Sequence, residues 1–172
     1  MTILAADFRD ALRLFPSGVT LVTLRVGEVI HGLTVSAFAS VSPEPPLVTV
    51  IIDHRHRAHQ LLELPGARFA VNFLSETQVA LSNRFAWTED EDRFQGDDWD
   101  LTGPAAPVLR TALAWLDCRI HSKLSAGTHT LYVGEVERVG GRQATQRAEP
   151  AEAAIGPLIY WNRDYRGIKD LS

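Results

Sequence analysis

The block LVTVII, residues 47–52, which follows the proline pair Pro45-Pro46, is apolar on both of the faces that a β-strand would present. A strand of that kind belongs inside a sandwich or a barrel. The flanking sequence carries the same signal. Runs 19–24 (VTLVTL) and 29–35 (VIHGLTV) read as a hairpin with Gly27 in its turn, and RFAVNF (68–73) alternates as a strand. The last third adds LAWLDCRIHSKL (113–124), THTLYVGEVERV (128–139) and PLIYWN (157–162). Six or so strands with no long intervening helix predict a mainly β fold, an antiparallel barrel that is closed or split, because closure removes exposed edges.

Short helices fill the corners. ADFRDALRLF predicts an amphipathic lead-in carrying Phe8, Ala11, Leu12 and Phe15, with Asp7 as N-cap and Pro16-Ser17-Gly18 as the stop. A second helix is expected over 58–64, closed by Pro65-Gly66, and a third over 75–86, opened by a Ser75/Gln78 capping box. WTEDEDRFQGDDWD (87–100) reads as an acidic solvated loop that covers something or meets a partner, and 142–154 as a mobile, weakly hydrophobic connection.

A chain of 172 residues suits one domain, 1–172, able to bury roughly 70% of its unfolded surface without staples. The single cysteine, Cys118, sits in an apolar run, so it reads as a core residue in a reducing compartment. No span of about 18 apolar residues suggests a membrane helix, and MTILAADFRD lacks a signal peptide's pattern, so a soluble, cytoplasmic protein is expected. The net charge of −4 argues against a nucleic-acid partner.

Among chemical motifs, the nucleophile elbow, the P-loop and the dinucleotide glycine fingerprint are all missing from the sequence. The basic cluster HRHRAH (54–59) admits three readings. His54, His56 and His59 could ligate a metal, but only Asp53 is near to complete the set and two arginines would repel a cation, so no metal is assigned. It could be a solvated loop. It could also be an anion site in which Arg55 and Arg57 bind a phosphate, with the start of helix 58–64 adding its dipole. The stretch before the LVTVII block, HGLTVSAFASVS, is unusually rich in small and hydroxyl side chains. Such a wall lets a planar ligand approach the backbone, although a strand followed by Ser/Pro turns explains the same composition.

Several ordered segments together resemble the flavin reductase family, the short-chain NAD(P)H:flavin oxidoreductases that serve as reductase components of two-component monooxygenases. FPSGVTLVT (15–23) is similar to the family's F-P-x-G-V-x-x-V-T opening, and HGLTVSAFASVSPEPPLVTV (31–50) to its small-residue and Pro-Pro pattern. FAVNFLSETQVALSNRFA (69–86), DRFQGDDW (92–99), 113–136 and GPLIYWNRDYRGI (156–168) follow in the family's order. The resemblance implies an FMN-binding split β-barrel, antiparallel and Greek-key-like, that works as a homodimer and binds FMN or FAD and NADH or NADPH. It implies flavin contacts from Thr34, Val35, Ser36, Ala37, Ser40 and Val41, and ribityl and phosphate contacts from Ile51, Ile52, Asp53, His54, Arg55, His56 and Arg57. Asn83, Arg84 and Phe85 are implied as further contacts. His129 is the implied nicotinamide-contacting and catalytic residue, with Tyr160 and Tyr165 as weaker candidates. Where the family usually has Gly-Asp-His, this chain has Gly127-Thr128-His129, which removes a carboxylate beside the imidazole. The resemblance also implies a partner oxygenase that consumes the reduced flavin. The competing expectations are a flavin-binding redox sensor or carrier without turnover, and a split barrel holding another ligand such as haem.

Overall fold

A computed structural model describes residues 3–87, 91–96, 98–102, 105–141 and 155–168. In chain order the strands are β1 (Ser17–Gly18), β2 (Thr20–Val26), β3 (Val29–Val35), β4 (Phe38–Pro43), β5 (Pro46–Asp53), β6 (Arg68–Phe73), β7 (Trp99–Asp100), β8 (Val108–Leu109), β9 (Ala114–Ala126), β10 (His129–Gly140), β11 (Ile159–Trp161) and β12 (Asp164–Arg166). The helices are α1 (Ala5–Leu12), α2 (Arg57–Leu62) and α3 (Val79–Trp87), with single 3-10 turns at Glu76–Gln78 and Glu91–Phe94.

Seven strands pair antiparallel in the order β3-β2-β6-β9-β10-β5-β4. The two edge strands, β3 and β4, are consecutive in the chain and joined only by Ser36 and Ala37. Three Cα–Cα steps from Val35 to Phe38 reach at most about 11 Å. A flat sheet would hold the two edges six strand spacings apart, roughly 29 Å. The sheet therefore curls until its edges nearly meet, and the ladder stays open where Ser36-Ala37 crosses. This is the split barrel that the sequence predicts.

Alternation along β2 explains the two cores. Val22 and Leu24 face the barrel interior with Leu33, Val50, Ile52, Phe69, Val71 and Tyr132. Leu21, one residue out of phase, packs in the outer layer with Leu74, Leu81, Phe85, Trp99 and Leu158, so β2 is buried on both faces. Helix α2 plugs the barrel through Ala58 and Leu62. In β5 only Val48, Val50 and Ile52 of the LVTVII block are buried, and Leu47, Thr49 and Ile51 lie half-buried on the other face. That strand is thus not interior on both sides as expected, which leaves one face free for a site.

Three expectations are corrected. The first helix is capped by Leu4 without a side-chain bond, and Asp7 lies in its first turn instead of at the cap. Helix α2 begins one residue early, at Arg57, and has six residues. Half of the hydroxyl-rich stretch is strand β4, an edge strand whose Ala39, Ser40 and Val41 are exposed. The Ser75/Gln78 capping box is present, with Gln78 Oε1 accepting from the Ser75 N–H at 2.9 Å. Of the acidic stretch 87–100, Phe94 and Trp99 anchor it by packing on Phe85, with ring centroids 5.0–5.6 Å apart. The connection expected over 142–154 lies outside the described residues.

No residue of α1 is buried. Its neighbourhood is held by polar bonds to the β11–β12 turn: the Asn162 N–H donates to Arg13 O at 2.8 Å, Trp161 Nε1 to Leu14 O at 3.0 Å and Arg163 Nη2 to Asp10 Oδ1 at 3.0 Å. Among the described residues, no helix is long and apolar enough to cross a membrane.

Close approach inside the barrel depends on Gly134, where a Cβ would lie 2.3 Å from Phe69 Cζ and 2.9 Å from Cys118 Cβ. Phe69 and Cys118 are both fully buried and cannot retreat. Gly134→Ala is therefore expected to lower unfolding stability by about 1–3 kcal/mol, read from the midpoint of a urea transition.

Candidate functional site

The loop that leaves β5 sorts its side chains to different sides. Asp53 closes the strand with its carboxylate nearly buried and turns it onto Arg55. The Arg55 N–H donates to Oδ1 at 2.9 Å, and the guanidinium donates to both oxygens, with Nη2 2.6 Å from Oδ2. These bonds hold the Asp53 carboxyl far below the usual carboxylate range. His54 and His59 turn inward, and the Nε2 atoms of both lie 3.1 Å from Thr130 Oγ1. His56 and Arg57 turn outward into a cleft. The three histidines of the basic cluster therefore do not converge on one point.

That cleft, of about 620 Å³, lies between β3 and the end of α3. It is lined by His31, Thr34, His56, Arg57, Phe85 and Arg93. Arg57 makes no hydrogen bond or ion pair with any other described residue. Thr34 Oγ1 donates to Ser82 O at 2.6 Å and so ties β3 to α3. Arg93 reaches in from 61 residues away, its Nη1 donating to Gly32 O at 2.9 Å. Partial burial first, then the charges of Arg93, Arg57 and His56, push the His31 imidazole down to about 4. A neutral histidine surrounded by cationic groups marks a pocket whose potential favours an anion.

On the other side of the β3–β4 crossing lies a groove of about 520 Å³ that Ser36 and Ala37 line together with Thr49, Ile51 and Tyr160. Its far wall comes from Leu12 and Phe15 at the end of α1. The two side chains at the crossing are too small to fill this space. The Ile51 N–H donates to Ala37 O at 3.1 Å, which pins the crossing to β5. Residues 34–37 thus run from the cationic cleft to this second groove, whose lining is mostly apolar and includes Arg9, Arg13 and Arg163.

His129 is the first residue of β10 and pairs in register with Asp53 on one side and Ala126 on the other. Its Nδ1 lies 2.9 Å from Thr128 Oγ1, and its Nε2 lies 4.0 Å from Asp53 Oδ2. One ring nitrogen thus faces a hydroxyl, and the other a carboxylate from the neighbouring strand. The ring is about half exposed.

The sequence-predicted residues divide accordingly. Thr34, His56, Arg57 and Phe85 meet in the cleft, and Ser36, Ala37, Ile51 and Tyr160 in the groove. Asp53, Arg55 and His129 form a third group beside them. The side chains of Val35 and Ile52 are core, at 6% and 2% exposure, so only their backbone could meet a ligand. Phe85 is also in the core and reaches only the cleft floor. Ser40 and Val41 sit on the exposed edge strand and line neither cavity. Asn83 Oδ1 accepts from Tyr165 Oη at 3.0 Å, and Arg84 Nη1 donates to Gln95 O at 3.1 Å. Tyr165 stacks edge-on against Tyr160. Cys118 is buried, and burial pushes its thiol up to about 12, which leaves it unreactive. His31 and Arg93 were not singled out from sequence: no local motif marks them, and only the packing of β3 against the segment after α3 brings them together.

Residues 12–169 match the model of the flavin reductase like domain. The reductase component of 4-hydroxyphenylacetate 3-monooxygenase from Thermus thermophilus is 39% identical over 163 residues, which cover 94% of this chain and 95% of that one. The NADH:FMN oxidoreductase of Rhodococcus erythropolis is 35% identical over 164 residues, covering 95% and 81%. Among solved structures, an NADH:FAD oxidoreductase of Streptomyces globisporus in complex with NAD and FAD fragments superposes with a TM-score of 0.78 at 31% identity, covering 98% of both chains.

The depressed His31 value gives a sign that can be checked. A free imidazole titrates near about 6.5, so the unfolded chain binds the extra proton between that value and about 4. His31 therefore adds stability that is complete above the unfolded value and lost as pH falls toward the folded one. In an NMR titration its ring resonances are expected to stay at the neutral position until the pH approaches about 4. An anion bound in the cleft is expected to raise that midpoint.

Proposed function

The chain belongs to the flavin reductase-like domain family, and on that premise we propose that it is an NAD(P)H:flavin oxidoreductase that supplies reduced FMN or FAD to a partner oxygenase. The observation that carries this reading is the continuity of the crossing segment 34–37 with a mostly apolar groove at one end and, at the other, an Arg57 side chain that pairs with no other described residue. A flavin has the matching chemistry, a flat ring joined through a polar chain to a phosphate. The residues present fit such a group: Ser36 and Ala37 leave room for a ring against the backbone, and Arg57 offers a charge-assisted bond to a phosphate.

Bound flavin and nicotinamide supply the hydride chemistry, and the protein supplies position and charge. Thr34 to Ala37 form the wall for the ring. Arg57 and His56 hold the phosphate end. His129, beside Asp53 at the start of β10, is the residue placed to meet the nicotinamide, with Tyr160 on the groove side. Both imidazole nitrogens face protein groups, so His129 offers a ring face instead of an acid. Reduction of the flavin by hydride transfer requires little proton traffic through the protein.

The homodimer belongs to the same reading. Ile3, Leu4, Phe8, Leu12, Leu14 and Phe15 are each more than half exposed, an apolar surface that a monomer in water would not maintain. A second copy covering that surface would also close the groove that Leu12 and Phe15 line. The single buried thiol suits a reducing, cytoplasmic setting.

Steady-state oxidation of NADH and NADPH, each with FMN and with FAD, tests the activity. Consumption above the protein-free rate with at least one pair is expected, and none with all four would end the reading. Arg57→Ala is expected to weaken flavin binding about tenfold by the loss of a charged hydrogen bond. Arg55→Ala should weaken it less, because Asp53 already holds that guanidinium. His129→Ala should raise the nicotinamide KM and leave flavin affinity unaltered in a fluorescence titration.

A further inference from the structure

Three features lie outside the roles already assigned. The His54–Thr130–His59 arrangement is satisfied within itself. The largely apolar cavity between β1 and β6 offers Thr20 as its polar side chain, and that hydroxyl already donates to Val35 O at 2.7 Å. The third feature, the nearly buried Asp53 carboxylate under His129, carries an inference.

Antiparallel register places Asp53 and His129 directly opposite each other, so their side chains leave the same face of the sheet. The backbone around them is fixed on both sides. The His54 N–H donates to Thr128 O at 3.0 Å, and the β9–β10 turn at Gly127 has a positive φ of 60° that glycine adopts without strain. The carboxylate side chain is 10% exposed and the imidazole 45%, so the acid lies beneath the ring and not in solvent. Oδ2 takes the Arg55 Nη2 donor at 2.6 Å and still faces His129 Nε2 at 4.0 Å. On the opposite edge of the ring stands only the Thr128 hydroxyl, 2.9 Å from Nδ1, which can donate or accept.

We propose that Asp53 is a positioning residue for His129: it holds the imidazole in the tautomer protonated at Nε2, so that Nδ1 accepts from the Thr128 hydroxyl and the ring presents its face to the nicotinamide. The argument is electrostatic. A neutral imidazole has one N–H and one lone pair, and a carboxylate 4.0 Å from Nε2 favours the arrangement that points the N–H at it and the lone pair away. Thr128 then adapts by rotation. Asp53 stays ionised throughout the range in which the enzyme works, because the Arg55 bonds hold its carboxyl far below neutrality. The charged and titratable groups around the ring are Asp53 and Arg55 from the β5 end and His54 from the following loop; the β9–β10 turn contributes no charge. The role of His129 itself rests on the reductase reading above.

The test is side-chain 15N NMR of the full chain in mildly alkaline buffer, with His129 assigned by its loss in His129→Ala. The Nε2–H tautomer is expected to dominate in the wild type. Asp53→Asn, which keeps the shape and removes the charge, is expected to give a mixture of tautomers and to raise the nicotinamide KM about fivefold, by more than it changes flavin affinity. Asp53→Glu is expected to restore the wild-type tautomer. Thr128→Ala, on the exposed edge of the ring, should retain it. The proposal is overturned if Asp53→Asn keeps the wild-type tautomer ratio, if its nicotinamide KM does not move, or if Thr128→Ala alone scrambles the tautomers. If Asp53→Asn fails to fold, the Glu and Ala variants decide. The NMR readout needs no turnover, so a protein inactive with both flavins would end the reductase reading and leave this assignment standing or falling on its own spectrum.

Discussion

A two-residue covalent link between opposite edges of a seven-stranded sheet is the constraint from which the rest of this structure follows. Because Ser36 and Ala37 must carry the chain from β3 to β4, the sheet has no option but to curl, and the curl encloses the apolar faces of β2, β5, β6 and β10. The enclosed space is narrow. Phe69 and Tyr132 fill it so fully that Gly134 is required where the strands approach. The link carries only the small, exposed side chains of Ser36 and Ala37, so a groove stays open where the sheet fails to zip.

Charge is distributed around this opening by simple alternation. Successive residues of the loop from Asp53 to Arg57 point to different surroundings, so one short basic stretch supplies an internal ion pair, an inward histidine and an outward cation. Asp53 and Arg55 neutralise each other and stabilise the loop only modestly, given that Arg55 is largely in solvent. Arg57 and His56 are left over, beside a histidine forced to remain neutral. The division places a cationic cleft on one side and the Asp53–His129 pair on the other without any large charge cluster.

Much of this was legible in the sequence because it rests on local chemistry. The hairpin at Gly27, the strand 68–73, the Ser75/Gln78 box and the antiparallel class all depend on neighbours a few residues apart, and each was found. Strand β4 was not, since Ser40 and Ser42 on a solvent-facing edge carry no apolar alternation to read. The short strands β7, β8 and β12 are defined by pairing partners and not by composition. At the site, the family-like segments pointed to Thr34, Ser36, Arg57 and His129, but sequence treated Arg55 and Arg57 as equals. Only the geometry shows that Asp53 claims the first. His31 and Arg93 depend on contacts across 61 residues, for which no spacing rule exists.

Helix α1 has a consequence of a different kind. It buries none of its own side chains and is fastened to the rest of the chain by a few hydrogen bonds at the β11–β12 turn, yet its end supplies a wall of the groove. A wall held so lightly acquires its final position from whatever covers its apolar side. Under the dimer reading proposed above, a ligand in the groove and a second copy on the helix would act on the same wall, and linkage makes the effect of each on the other equal in size.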